Sequence, residues 1–375
     1  MAKIALVANT TWNIYNFRLN VIRRLRAEGH EVIVMAPVDE YISYQWKIQG
    51  VHHYPIRTLR RDSVNPLRDI QLTLELIRLY RTHRPDLVVH YTVKPNIYGG
   101  IAAKLAGIPS IAVVTGLGYA FIHNGLVKRT TKSLYKVATR FHKRIVFENQ
   151  DDRSLFIEEK LLDPAKSMSV KGCGVDLEFY SPADNTNGAN KPLTFAFIGR
   201  LLYDKGIQEF IQAARLVKAE KPEVRFLIVG EIDRDNPSAI RETDLLRWVK
   251  DHIVEYHGAT HDIRPFIAQS DCIILPSYRE GMPRILMEAM AMKRPIITTD
   301  TAGCRETVED AHNGFIVPVG NTEALAQAMR RFSEMSAMER ELFGANGRNM
   351  AEELFDEHKI ADEMYRIIGQ VLSNR

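Results

Sequence analysis

The chain has 375 residues, 45% of them apolar and 26% charged, and a net charge of +4. That length exceeds the roughly 100–200 residues of an ordinary domain and predicts two domains, while the composition excludes a disordered or fibrous chain. Three cysteines, Cys173, Cys272 and Cys304, are widely spaced and odd in number, which argues against a disulfide framework and a clustered metal site.

The start, MAKIALVAN, runs directly into a strand pattern without the longer apolar stretch of a secretory leader. No apolar run approaches the ~20 residues of a bilayer span, and a cytoplasmic location is expected. The charge is uneven: residues 1–180 hold 26 Lys+Arg against 16 Asp+Glu, and residues 181–375 hold 24 against 30. The basic first half is expected to attract an anion.

In chain order, KIALVAN, EVIVMAP, DLVVHYT, SIAVVTG and RIVFEN each lie one helix apart, which predicts a parallel sheet with crossover helices. The polar stretch SPADNTNGANKP at 181–192 reads as a linker. A second series follows: LTFAFIG, VRFLIVG, IVEYHG, CIILPS, PIITTD and GFIVPV. The fold class is therefore α/β, with two doubly wound, Rossmann-like parallel-sheet domains at 1–180 and 193–375. From Asn321 onward the pattern is helical, with a long final segment from Met338 to Asn374 that could brace one domain against the other.

In open α/β sheets ligands bind beyond the carboxyl ends of the strands. The loop Gly199-Arg200-Leu201-Leu202-Tyr203-Asp204-Lys205-Gly206 offers glycines, a helix start and two cations, a combination suited to a diphosphate, although two solvated cations on a turn would read the same way. Further on, CIILPS ends in a loop carrying Glu280, and a helix from about Pro283 carries Glu288 among Ile285, Leu286, Met287, Ala289 and Met290. A carboxylate on such a partly apolar wall can accept hydrogen bonds from a ribose diol, whereas either glutamate taken singly is an ordinary surface residue.

The order Gly199-Arg200, Lys205-Gly206, Pro276-Ser-x-x-Glu280-Gly, Glu288 and Gly314-Phe-x-Val resembles glycosyltransferase family 4. The resemblance implies the GT-B fold, with a cleft between the two domains. It implies that Arg200 and Lys205 hold the donor diphosphate, that Glu288 binds the ribose and that Glu280 lies against the donor sugar. The backbone of Ile285 and Leu286 would cap phosphate, Gly258 to Ile263 would frame the base, and Gly174-Val175-Asp176 would cross between domains. Retention of configuration, no cofactor and no metal follow from the same likeness. Asp233-Arg234-Asp235 resembles a metal triplet of other glycosyltransferases, but a metal role is not assigned; His257 and His261 are interrupted by Gly258 and are not assigned one either.

Within the family, NTTWNIYNFRLN, HYTVKPNIYGG, VTGLGYAF and PSYREGMPRILMEAMAM are most similar to capsule and O-antigen type transferases. That narrower likeness implies a UDP-sugar donor (UDP-GalNAc, UDP-GlcNAc or UDP-hexose) and a polyprenyl-diphosphate-linked acceptor held by the first domain. Candidate acceptor residues there are Asn13, His90, Lys94, Asn96 and Gly116. Two departures stand out: Asn9 to Asn13 replace the glycine pair of many members, and Val114 to Gly118 hold no histidine, leaving His90 as a substitute or as a structural residue.

From Leu126 to Arg144 the spacing predicts one helix, with Lys128, Lys132, Lys136, Arg140 and Arg144 every four residues and no acid before Phe147. Val127, Leu134, Ala138 and Phe141 would form its apolar side. Solvated helices usually mix signs; this one does not, and Arg57, Arg60, Arg61 and Arg68 add charge nearby. Lys128, Lys132 and Lys136 are thus expected to meet the acceptor or an anionic inner membrane surface, with the protein peripheral to it. A GT-B epimerase or glycan phosphorylase is the alternative within the fold. A nucleic-acid-binding module is disfavoured, because the cations are not interleaved with stacking aromatics.

Overall fold

The computed structural model describes residues 1–43, 48–60, 65–118, 121, 125–182 and 191–373. Packing divides the chain into two units, Met1–Gly174 together with Glu357–Arg375, and Val175–Asp356. The boundary thus lies at Gly174, ahead of the expected linker, most of which (183–190) is outside the described residues. The C-terminal segment also differs from the expected 193–375 domain, because its last helix belongs to the first unit.

In the first unit, strands β1 (Lys3–Val7), β2 (Glu31–Ala36), β3 (Val51–Pro55), β4 (Leu87–Tyr91), β5 (Ser110–Val114), β6 (Arg144–Phe147) and β7 (Ser167–Ser169) form one sheet. Its order is β3-β2-β1-β4-β5-β6-β7, and the pairings are parallel. Apolar side chains fill both faces, as a parallel sheet covered on two sides requires. One face, with Ile4, Leu6, Val32 and Val89, packs on α1 (Thr11–Phe17), α2 (Leu19–Ala27) and the last helix. The opposite face, with Ala5, Val7, Ile33, Val88, Ala112 and Phe147, packs on α3 (Pro66–His83), α4 (Gly100–Ala106) and α5 (Leu126–Ala138). Helix α6 (Gln150–Glu158) adds Phe156 to that core.

The second unit repeats the plan with β8 (Thr194–Ile198), β9 (Arg225–Val229), β10 (Glu255–Tyr256), β11 (Cys272–Leu275), β12 (Ile296–Thr299) and β13 (Gly314–Val317). Their order is β10-β9-β8-β11-β12-β13, with every pairing parallel. Its helices include α7 (Ile207–Glu220), α8 (Glu242–Lys250), α9 (Arg264–Gln269), α10 (Arg284–Ala291) and α11 (Thr322–Glu334). The predicted long terminal helix is two, α12 (Ala337–Leu354) and α13 (Glu357–Ser373). Ser336 starts α12 with a reciprocal capping box to Glu339. Helix α13 buries Ile360, Met364, Ile367, Ile368 and Val371, spaced for one helical face, and packs on α2.

One buried charge pair lies at the carboxyl end of the first sheet. Arg18, between α1 and α2, donates to Glu148 just after β6 at 3.0 Å, and both side chains are almost fully buried. The guanidinium lies 4.2 Å from the Tyr91 ring centroid. Burial pushes the Glu148 carboxyl up and the Arg18 charge opposes that shift. Removing one partner of such a pair costs about 3–5 kcal/mol, whereas replacing both with apolar groups is often neutral. Arg18→Ala is therefore expected to lower the unfolding free energy of the chain, read from urea titration, by that order, and Arg18→Met with Glu148→Leu to recover most of the loss. A single variant as stable as the parent would contradict the assignment.

Candidate active site

In the second unit the strand order reverses between β8 and β11, so the loops after these strands part to either side of a crevice, the position where ligands bind in such sheets. The loops approach through bare backbone. Gly206 has φ 72°, and a Cβ there would lie 2.0 Å from the Pro276 carbonyl oxygen. A Cβ on Gly230, after β9, would lie 1.9 Å from the Gly199 carbonyl oxygen. Backbone hydrogen bonds from Tyr278 to Asp204 (2.9 Å) and from Leu201 to Glu231 (2.8 Å) tie the same loops together.

These ties set two cations at the crevice. Lys205 Nζ donates to Glu280 Oε1 at 2.6 Å, joining the loop after β8 to the loop after β11. Ser277 Oγ donates to the same oxygen at 2.9 Å. Arg200, half exposed, donates to Asp233 Oδ2 at 2.6 Å. The guanidinium is open to solvent although the carboxylate is largely covered, so an incoming anion can reach Arg200 from the solvent side. Lys205 and Glu280 are both largely covered, which strengthens their attraction and also makes an incoming oxyanion a strong competitor for the lysine.

Glu288 sits in α10, buried, and is paired with Arg284 at 2.7 Å one turn earlier on the helix. Tyr180 donates a further hydrogen bond to it. Burial raises the Glu288 carboxyl above its ordinary range, and the Arg284 charge opposes the shift. Glu280 and Glu288 thus answer to different cations. No side chain caps α10. Of the two backbone amides assigned there, that of Leu286 already donates to Pro283 O at 3.1 Å; Ile285 sits beside it in the first turn. Gly258 has φ 63° and its carbonyl accepts from Gly230 at 2.7 Å, while Ile263 opens α9. Asp233, Tyr180, Arg284 and Ser277 escaped the sequence reading as site partners. Only Asp233 and Ser277 carried a signal, one in the acidic triplet and the other in the Pro-Ser-x-x-Glu run. Among the described residues no three His, Cys, Asp or Glu side chains gather as metal ligands.

In the first unit the reversal lies between β1 and β4. Asn13 is buried in α1, with its backbone N–H donating to the Thr10 cap and its Oδ1 without a hydrogen-bond partner among the described residues. Lys94, just beyond β4, donates to Asp69 at 2.8 Å, and Tyr98 donates to the other oxygen of that carboxylate. Gly116 follows β5 with φ 106°. Thr92, unremarked in the sequence, holds φ 72°, a left-handed conformation that costs a β-branched residue about 1–3 kcal/mol and persists where surroundings enforce it.

Two of the acceptor candidates need correction. His90 is fully buried beneath α3, where its Nε2 lies 2.9 Å from the Tyr80 hydroxyl and 2.4 Å from where a Gly99 Cβ would stand. Burial and the neighbouring His142 hold it well below its ordinary pKa. It is a neutral core histidine, because its side chain points into the helix layer rather than out beyond the strand end. Asn96 is buried too, and its Nδ2 donates to the Val113 carbonyl at 2.9 Å.

The predicted 126–144 helix ends at Ala138, so Arg140 and Arg144 leave the expected stripe, and Arg144 opens β6. Tyr135 and Ala138 form the buried side, whereas Val127 is exposed. Lys128 and Lys132 are half-buried and Lys132 pairs with Glu159 at 2.6 Å; Lys136 is exposed. Arg61 lies outside the described residues.

Comparisons with known proteins follow the two units. A glycosyl transferase 4-like model matches residues 3–149, and a glycosyl transferases group 1 model matches residues 192–334. The N,N'-diacetylbacillosaminyl-diphospho-undecaprenol alpha-1,3-N-acetylgalactosaminyltransferase of Campylobacter jejuni is 28% identical over 390 residues, covering 99% of this chain and all of that one. The UDP-Gal:alpha-D-GlcNAc-diphosphoundecaprenol alpha-1,3-galactosyltransferase of Escherichia coli is 26% identical, covering 90% and 88%. Among solved structures, a Rickettsia africae glycosyltransferase superposes with TM-score 0.80 at 20% identity, each chain covered completely. Anabaena HepE in complex with UDP gives 0.78 at 18%, covering 98% of this chain and 100% of that one. With one family model on each parallel-sheet unit, the chain belongs to glycosyltransferase family 4, the group 1 and 4-like glycosyltransferases of GT-B fold.

Proposed function

We propose that the protein is a retaining, metal-independent transferase that moves a hexose or N-acetylhexosamine from a UDP-sugar to a polyprenyl-diphosphate-linked glycan. The observation that carries the reading is the Lys205–Glu280 pair at the strand reversal of the second unit, with Arg200 on the same loop. The acceptor class is supported by the two relatives above, whose names both specify a diphospho-undecaprenol-linked sugar and an alpha linkage. An α-linked nucleotide donor that yields an α product has kept its configuration.

On this reading the donor diphosphate displaces Asp233 and Glu280 from Arg200 and Lys205. Glu280, freed, accepts hydrogen bonds from donor-sugar hydroxyls, and Glu288, oriented by Arg284 and Tyr180, accepts from the ribose. The acceptor, held by Asn13, Lys94, Gly116 and the neighbouring loops of the first unit, attacks C1 on the face from which UDP departs. The C1–O bond to phosphate breaks, the new C1–O bond forms, and the acceptor proton passes to a phosphate oxygen. Negative charge grows on the leaving diphosphate, so the two cations bind the transition state more tightly than the substrate.

The decisive assay incubates the protein with a panel of UDP-sugars and polyprenyl-diphosphate-linked glycans and follows the product by mass and anomeric configuration. An inverted product, or transfer only to soluble glycans, would refute the reading. Glu280→Ala is expected to lower kcat and Glu288→Ala mainly to raise the donor KM, each costing at least about tenfold in kcat/KM. Wild-type kinetics in both would remove the site assignment. Arg200→Ala and Lys205→Ala should each depress kcat strongly, and Arg200→Lys should rescue only in part if the guanidinium grips phosphate with two hydrogen bonds. Activity should persist in excess EDTA; a loss reversed by added metal would return Asp233 and Asp235 to consideration.

A further inference from the structure

Helix α3 turns Leu72, Leu76 and Tyr80 toward the sheet, as expected of an amphipathic helix. Its outer side carries apolar residues among its polar ones. Leu67, Ile70 and Leu74, at one helical stripe, are 70%, 56% and 61% exposed. Scattered single exposed apolar residues need no explanation, but a contiguous set does. The set continues along the same layer, with Leu105 exposed on α4 and Leu126 and Val137 exposed on α5. Arg81 of α3 donates to the Leu105 carbonyl at 3.2 Å, which ties the first two helices side by side.

The exposed charges of these helices have one sign. Arg68 and Arg78 on α3, Lys104 on α4, and Arg129 and Lys136 on α5 are exposed, while Asp69 is buried and Glu75 is taken up by the backbone of Arg57 and Thr58. On the other side of the same sheet, α2 and α13 expose no large apolar residue and mix Glu28, Asp362 and Glu363 with their cations. Trp12 of α1 is exposed on that side, and in the second unit α8 exposes Leu246 and Val249 and α12 exposes Met338 and Leu342, but those two helices mix Glu242, Glu339 and Glu341 with their cations, whereas the layer of α3, α4 and α5 combines its apolar residues with exposed charge of one sign.

We infer that the outer side of α3, α4 and α5 is a membrane-contact surface, which lays its leucines among the lipid head groups and its arginines and lysines against anionic lipid. Apolar side chains rimmed by basic ones are what binding in the plane of an anionic interface requires. The inference deepens the lipid-linked acceptor reading and rests on it for its purpose, since an enzyme so docked meets its acceptor in two dimensions. It also moves the cationic contact from Lys128 and Lys132, which are half-buried, to residues that are exposed.

The test is flotation of the full chain with vesicles of phosphatidylglycerol and phosphatidylethanolamine, against phosphatidylcholine vesicles as control. The unmodified protein should float with the anionic vesicles and keep part of that binding at high salt, where exposed charges are screened. Leu67→Ser with Ile70→Ser and Leu74→Ser should lose at least tenfold of the salt-resistant part. Arg78→Glu with Lys104→Glu and Arg129→Glu should lose at least tenfold at low salt. Circular dichroism and urea midpoints like the parent's would show both variants folded. No flotation of the parent, or triple-serine flotation equal to it, overturns the inference. So does a parent dimer that the serine variant splits in sedimentation velocity, because a second copy would then cover the stripe. If flotation follows the prediction but no polyprenyl-diphosphate glycan in the vesicles is extended, the proposed function falls and the membrane surface stands.

Discussion

Two loops that leave neighbouring parallel strands in opposite directions can carry a shared site only if their backbones meet with nothing between them. In the second unit that condition is met by Gly206 against Pro276 and by Gly230 against Gly199, contacts that no side chain could occupy. Everything chemical there follows from the approach. Lys205 reaches Glu280 because Gly206 lets its loop lie on the one after β11, and Arg200 reaches Asp233 because the loops after β8 and β9 are tied in the same way. The site is thus a property of backbone packing before it is one of charge.

On the proposed function the charges at this crevice are exchanged rather than kept to hold the fold. Each cation at the crevice already has an oxyanion, and each of those carboxylates can be outbid by a diphosphate, which brings more charge and more acceptor atoms. Arg18 and Glu148 in the first unit present the opposite case. Their buried pair, covered by the Tyr91 ring, has no solvent to exchange with and serves to join α1 to the end of β6. The two kinds of pair differ in burial: the Arg18 and Glu148 side chains are both almost fully buried, whereas each crevice pair leaves its cation in part open to solvent.

How much of this the sequence carried depends on what a residue string can encode. Runs such as TFAFI, RFLIV and CIIL announce strands buried on both faces, and the crevice residues come at loop positions that the strand ends dictate. VHHYP and SMS did not announce β3 and β7, because histidines, a proline and serines conceal an edge strand whose pairing is set by tertiary contact. His90 and Asn96 were misplaced for another reason. A residue at the end of a strand lies near the loops, yet alternation decides which way its side chain points, and in His90 it points beneath α3. The apolar side of α5 was rotated in the same manner, with Tyr135 inside and Val127 outside.

The last helix returns to the sheet that the first strand began. Helix α13 packs its Met364, Ile367, Ile368 and Val371 into the core built by Ile4, Leu6, Val21 and Ile22, so that core joins segments that the whole second unit separates in sequence. During vectorial synthesis the amino-terminal unit emerges first but lacks part of its interior until α13 leaves the ribosome, whereas Val175–Asp356 is continuous and emerges before α13. The order of maturation therefore runs against the order of sequence: the second unit can close on its own, and the first must wait for it.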